Sequence, residues 1–265
     1  MRPLKHIIFP TSSHLAKPAA VAVNGLSIVS ISKKFGKKTV LKDVSIEVRP
    51  SEVVGLLGRD GAGKTVTFYS ILGLLQVNSG HIFLDGDDIT QLSLDRRALR
   101  GLGYLPQESS IFRGLTVEQN IMTVLELFER DPAVRAQKLD KLLDEFHIDY
   151  VRHVTARGLS GGERRRCEIA RAMAANPKIM LFDEPFAGID PLSVRDIKAM
   201  IANLESHHVG ILITDQNVRE MVDILHRVYV LHEGRIVFCG SPDAMLNDKV
   251  VRHLYLGEEF HAAAK

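Results

Sequence analysis

The most constraining feature is the octapeptide Gly58-Arg59-Asp60-Gly61-Ala62-Gly63-Lys64-Thr65. It follows the apolar run Val53–Leu57 and precedes a helical pattern. It satisfies G-x-x-x-x-G-K-[ST] in the strand–loop–helix setting that gives this pattern meaning. Glycines let the backbone curl so that successive N–H groups point inward as an anion nest. The following helix adds its N-terminal partial positive charge. Lys64 has the reach for the β- and γ-phosphates of a nucleotide, and the Thr65 hydroxyl is placed to ligate Mg²⁺. The expected phosphate-binding set is Gly58, Arg59, Asp60, Gly61, Ala62, Gly63, Lys64, Thr65 and Val66. Asp60 is odd there, because a carboxylate beside a phosphate nest repels the ligand unless it points away. Arg59 offsets that charge only in part.

Such a loop must hang from the end of a buried strand. Val53–Leu57 is apolar at every position but Gly55, as expected of a strand covered on both faces of a parallel sheet. Ile179–Phe182, Ile211–Thr214 and Val228–Leu231 read as further strands, with helices at about Lys64–Leu75, Gly162–Ala175 and Leu192–His207. Leu26 to Val48 alternates about a basic turn at Gly36, and His81–Asp88 reads as a short strand and turn. From about Ser93 to His153, Ile121, Leu125 and Phe128, then Leu139, Leu142, Leu143 and Phe146, fall at helical spacing. The order predicts a parallel α/β sheet interrupted by a helical insertion. Residues 1–24 show no period and read as a disordered extension, and 261–265 as a tail.

Composition removes other classes. No apolar stretch approaches the roughly 18–20 residues that span a bilayer. Cys167 and Cys239 cannot build a disulfide framework and favour a reducing compartment. The eleven histidines show no metal-site spacing. Eight of the 34 basic residues precede Asp43, the first acid, so the rest of the chain carries a net negative charge. It is no general polyanion binder, and no nucleic-acid partner is expected.

The run Ile179–Phe182 ends in Asp183-Glu184-Pro185. In open α/β sheets ligands bind at the carboxyl ends of strands. Asp183 suits a Mg²⁺ held through water, and Glu184 suits a base for the attacking water. The roles need separate acids, because a metal-bound carboxylate is a poor base. Two acids at a strand end also read as a helix cap and turn; pairing with the phosphate loop favours the catalytic reading.

Leu159-Ser160-Gly161-Gly162-Glu163 stands between these motifs and opens a helix. Here the chain resembles the ATP-binding cassette family, whose signature is this peptide in this order. The resemblance implies a P-loop NTPase fold over 25–260. It has a RecA-like core sheet, an antiparallel β subdomain and a helical subdomain inserted at about 93–160. It implies ATP and Mg²⁺ as cofactors. Ser160, Gly161 and Gly162 would complete the ATP pocket of a second copy, hence a homodimer. Gln107 in Tyr104-Leu105-Pro106-Gln107-Glu108 fits the Q-loop and joins Thr65 and Asp183 at the metal. Asp190 fits the D-loop, and Phe35 the aromatic that stacks on adenine. Lys64, Glu184 and the residue at 216 form the implied catalytic set.

At that last position the family places a switch histidine, and here Gln216 stands in Thr214-Asp215-Gln216-Asn217. An amide donates a hydrogen bond to phosphate but carries no imidazolium charge and shuttles no proton. Slow hydrolysis is the expectation. Within the family, Tyr104–Arg113, Asp183–Gly188, Thr214–Glu220 and Tyr255–Phe260 resemble the lipopolysaccharide export branch. That branch implies two integral inner-membrane permease subunits and a place on the cytoplasmic face, with no direct contact to lipid. Branched-chain amino acid importers and a low-turnover regulatory cassette are the alternatives. Phe112, Arg113 and Leu115 are candidates for the permease groove, and Phe112 and Leu115 read equally as local core. The run Arg164-Arg165-Arg166 reads as a solvated or salt-bridged helix face.

Overall fold

The chain first forms a hairpin. In the computed structural model, which describes residues 24–216 and 218–256, strands β1 (Leu26–Phe35) and β2 (Lys38–Val48) pair antiparallel. The side chains of Pro191, Leu192 and Leu256 are not described. The expected extension (but for Asn24), the tail, and residues 257–260 of the closing segment lie outside the described residues. β3 (Val53–Leu57) leads through the glycine loop into α1 (Lys64–Leu72). This helix ends three residues earlier than the sequence pattern suggests. Gly73 adopts φ 77, which takes the chain out of the helix, and its N–H bonds back to the Ser70 carbonyl.

β4 (Ser79–Leu84) and β5 (Asp87–Asp88) complete an antiparallel sheet in the order β2-β1-β4-β5. α2 (Leu94–Leu99) follows, then β6 (Leu102–Leu105). β6 is a correction to the helical reading of this stretch. It is only four residues long, and a strand this short leaves no periodic signal. The helical layer proper comprises α3 (Val117–Phe128), α4 (Pro132–Glu145) and α5 (Gly161–Met173). The strand–helix alternation resumes with β7 (Ile179–Asp183), α6 (Pro191–Ser206), β8 (Gly210–Thr214) and α7 (Val218–Met221). β9 (Arg227–His232), β10 (Arg235–Gly240), α8 (Pro242–Asn247) and α9 (Lys249–Val251) close the chain, the last running into a wider π-helical turn to Leu256.

Among the described residues the second sheet has six strands in the order β10-β9-β3-β8-β7-β6. It is parallel except for the β10–β9 edge pair. Its central strands are buried on both faces. Val53 and Leu57 of β3 join one apolar cluster, while Val54 and Leu56 join the other. Met180 and Phe182 of β7 point to the first, Ile179 and Leu181 to the second. The first cluster holds α3 to α6; the second holds α1 and the antiparallel sheet. This double burial is why those strands read as unbroken apolar runs.

Arg97 in α2 fixes the side of the sheet that carries α1. It is 2% exposed, and its guanidinium donates to the carbonyls of Leu92, Ser70, Ile71 and Thr90. Ser70 and Ile71 lie in the last turn of α1, where the Ser70 carbonyl already takes the Gly73 N–H and Arg97 supplies a further donor to both carbonyls. Burial pushes the Arg97 guanidinium down to about 10, against a smaller opposing pull from Asp88. Replacing Arg97 by Met fills the space but removes the guanidinium donors from these buried carbonyls. Arg97→Met is expected to cost about 3 kcal/mol in urea unfolding.

Candidate nucleotide site

Parallel pairing brings four loops to one end of the sheet. The phosphate loop follows β3, the switch segment follows β8, the acid pair ends β7, and the Gln107 loop follows β6. These strands are consecutive neighbours, so each loop sits about 4.8 Å from the next at its root. The register matches ends to ends: Asp183 lies opposite Thr214, and Leu105 opposite Phe182.

The phosphate loop is built from glycines with positive φ: Gly58 at 157, Gly61 at 76 and Gly63 at 114. A Cβ on Gly58 would come within 2.4 Å of the Leu231 carbonyl oxygen. Lys64 is buried at the start of α1, and its Nζ donates to the carbonyls of Gly58 (2.7 Å) and Arg59 (3.4 Å). The ammonium thus arches over the loop it serves. Ala62 and Gly63 are buried, while Arg59, Asp60, Gly61 and Thr65 are exposed and Val66 is half-buried. The loop is braced from the side by β2: Lys42 N–H bonds to Gly234 O, and Gly234 N–H bonds to Ala62 O. The same hairpin carries Phe35 at its tip, 46% exposed, with the Lys33 ammonium 5.3 Å from its ring centre.

Asp183 is buried and held. Its Oδ1 accepts from the Thr214 hydroxyl at 2.8 Å and its Oδ2 from the Tyr104 hydroxyl at 3.4 Å. Burial pushes the Tyr104 phenol up, and the adjacent Asp183 carboxylate adds to the shift. Glu184 follows at φ 46, an unusual conformation for a residue with a side chain. Its N–H bonds to Thr214 O at 2.8 Å. Strain of this kind survives where the surroundings enforce it. Its carboxylate is gripped from both sides. Gln107 Nε2 donates to Oε2 at 2.8 Å, and Gln216 Nε2 lies 3.3 and 3.4 Å from the two oxygens. Gln216 Nε2 also lies 3.3 Å from Asp60 Oδ1 on the phosphate loop. All four loops thus meet in one hydrogen-bonded chain.

The signature residues lie elsewhere. Ser160 caps α5 in a reciprocal box: its Oγ accepts from Glu163 N–H, and Glu163 Oε2 accepts from Ser160 N–H at 2.8 Å. Gly161 has open space around it, whereas a Cβ on Gly162 would lie 2.9 Å from Ser193 Oγ. Asp190 accepts from the N–H and hydroxyl of Ser193 at the start of α6. α5 packs within the apolar cluster opposite the one that holds α1.

Sequence patterns missed the supports. Arg165 is 6% exposed, so of the two readings of the Arg164-Arg165-Arg166 run it takes the salt-bridged one, buried rather than solvated. It bonds to the Pro106 carbonyl and to Glu168, while Glu168 accepts from Ser109 Oγ and Ser110 N–H. Burial pushes the Arg165 guanidinium down, with Glu168 opposing. Arg166 does pair outward, with Asp196 at 3.0 Å. Helix α5 therefore holds the loop that carries Gln107. Only the helical phase of Arg165, matching that of Ile169, could have signalled this. Tyr255 was missed too: burial pushes its phenol up to about 12, and Asp215, Asp60 and Glu184 add to that shift.

An anion nest, a buried acid and a gripped carboxylate at the ends of parallel strands define a P-loop nucleotide-binding cassette. Residues 41–187 match the model of the ABC transporter family, described as ABC transporter. The chain is 50% identical over 236 residues to the Haemophilus influenzae lipopolysaccharide export system ATP-binding protein LptB, covering 89% of this chain and 98% of that one. The Escherichia coli K12 protein of the same name is 49% identical, with the same coverage. A probable ABC transporter ATP-binding protein of Azorhizobium caulinodans is 52% identical, over 91% of this chain and 86% of its own. A crystal structure of an ATP-binding cassette of an ABC transporter in its ADP conformation superposes with a TM-score of 0.80 at 26% identity. It covers 89% of this chain and 100% of that chain. The chain belongs to the ATP-binding subunits of the ABC transporter family.

Thr214 is the joint of the site. It is fully buried and serves Asp183 through its hydroxyl and Glu184 through its carbonyl. Thr214→Val keeps the shape and removes the hydroxyl. It is expected to cost about 2 kcal/mol in urea unfolding and to lower ATPase activity about tenfold.

Proposed function

We propose that this chain is the ATP-hydrolysing subunit of a bacterial exporter that lifts lipopolysaccharide out of the inner membrane. Hydrolysis rests on one observation, the Glu184 carboxylate held at a strand end between Gln107 and Gln216. The substrate rests on near-full-length identity of about half to two proteins named as lipopolysaccharide export ATPases. ATP phosphates enter the nest of Gly58, Arg59, Asp60, Gly61, Ala62 and Gly63, with Lys64 bridging β and γ. Phe35 stacks on the adenine. Glu184 takes the proton of the attacking water. Gln216 donates to the γ-phosphate.

The residues suit Mg²⁺. Among the described residues no cluster of three acid, histidine or cysteine side chains could cage a metal. Mg²⁺ asks for less: one or two protein oxygens besides phosphate and water. Thr65 is exposed at the start of α1, Asp183 keeps lone pairs beyond its two hydrogen bonds, and Gln107 uses its nitrogen on Glu184, leaving its oxygen available. Bound there, the ion would draw charge from the β- and γ-phosphate oxygens.

Ser160, Gly161 and Gly162 would close the nucleotide of a second copy, with Asp190 at the seam. The placement of α1 and α5 on opposite faces of the sheet supports this, since one chain's signature then turns away from its own phosphate loop. Among the described residues no helix is long and apolar enough to cross a membrane. Two integral permease subunits would supply the path, with this dimer on their cytoplasmic face. Phe112 is 52% exposed and stacks under the Arg171 guanidinium at 5.0 Å, Arg113 is exposed and Leu115 half-buried. An exposed aromatic braced by a half-buried arginine favours a docking surface over local core.

The chain purified from membranes is expected to bring down two integral membrane proteins and to hydrolyse ATP when lipopolysaccharide is present. Stimulation by branched-chain amino acids instead would point to an importer. Glu184→Gln should retain ATP binding and lose about 10²- to 10⁴-fold in turnover. Gln216→His should raise turnover at least about tenfold by restoring a charged donor. Equal rates would refute the slow-hydrolysis reading.

A further inference from the structure

Asp60 looks misplaced in a phosphate nest, yet it is bonded. Its Oδ1 lies 3.3 Å from Gln216 Nε2, although the two residues are 156 positions apart. The same nitrogen reaches Glu184. An amide NH₂ carries two hydrogens and so serves two carboxylates at once, whereas a neutral imidazole has a single N–H to give. The opposite end of the amide is a carbonyl, which would repel a phosphate. A free glutamine can present either end. Glu184 can select the NH₂ end only until it turns to the attacking water. Asp60 has no such second duty. It is exposed and stays on the loop that holds the phosphates.

We infer that Asp60 is a positioning residue: it fixes the Gln216 amide so that NH₂, not the carbonyl, faces the γ-phosphate. The inference rests on the ATPase reading of this site. The acid in the loop and the amide on the switch then form one device. Its cost is a negative charge near the phosphates, which weakens ATP binding. Its benefit is an oriented donor during hydrolysis.

Two readouts separate this from a merely structural role. In the full chain with its membrane partners, Asp60→Asn should lower kcat about fivefold while tightening ATP binding, because asparagine bonds to either end of Gln216. In the Gln216→His background the same change should alter kcat less than about twofold, since imidazole has no carbonyl end. The second readout needs no turnover. Gln216→Ala should raise the ATP Kd about fivefold in the parent and less than about twofold in the Asp60→Asn background. Independent, multiplicative effects in both readouts overturn the inference, and so does a joint loss of binding and kcat in Asp60→Asn. Coupling in binding with no turnover in any chain upholds the pair and overturns the ATPase reading instead.

Discussion

The parallel pairing of β3, β8, β7 and β6 is the constraint on which the rest depends. Parallel strands end at the same edge, so their following loops share one rim. Had β7 run the other way, Asp183 would lie a strand length from Lys64. The register adds precision: opposing Asp183 to Thr214 lets one hydroxyl hold the acid, while the next carbonyl bond bends Glu184 into positive φ. The apolar side chains of these strands fix that register, because a one-residue slip would swap the clusters on the two faces.

The site concentrates negative charge before any nucleotide arrives. Asp60, Asp183, Glu184 and Asp215 approach one rim, and the phosphates add more. Neutral donors are the means of keeping it together. Thr214 and Tyr104 serve Asp183, Gln107 and Gln216 serve Glu184, and the Phe186 N–H serves Asp215. Amides and hydroxyls hold carboxylates in place without neutralising them. Lys64, buried on the carbonyls of its own loop, is the positive charge held closest to the glycine nest.

How much of this was legible depended on the length scale of the signal. The glycine loop and the acidic strand end are local signals, and the structure brings both to one end of the sheet. The buried strands announced themselves because both faces are covered. β6 was not legible: four residues at an edge, with Gly103 and Tyr104 only half-buried, imitate the helical stretch around them. Gly103 has its own reason, since a Cβ would lie 2.2 Å from the Met180 sulfur. The bond between Asp60 and Gln216 was equally hidden, because nothing local links residues 156 positions apart. Arg165 misled because arginine pairs outward by default, and it is the Glu168 carboxylate together with the Pro106 carbonyl that makes its burial tolerable.

That last contact belongs to a set that ties the loop carrying Gln107 to helix α5. Glu168 in α5 accepts from the Ser109 hydroxyl and Ser110 N–H, Arg165 donates to Pro106, and Arg171 donates to Ser110 Oγ and covers Phe112. The loop from Pro106 to Phe112 is thereby stapled to the helix that begins with Ser160. Gln107 lies in that loop and touches Glu184. One chain of contacts therefore runs from Phe112 to the Glu184 carboxylate and along the helix that Ser160 caps. Because the staple is buried and charged, it resists gradual stretching: breaking one partner would leave the other unpaired at a cost of several kcal/mol. Such a joint keeps the Gln107 loop and helix α5 in one fixed relation, so the helix that Ser160 caps helps to set where Gln107 meets Glu184.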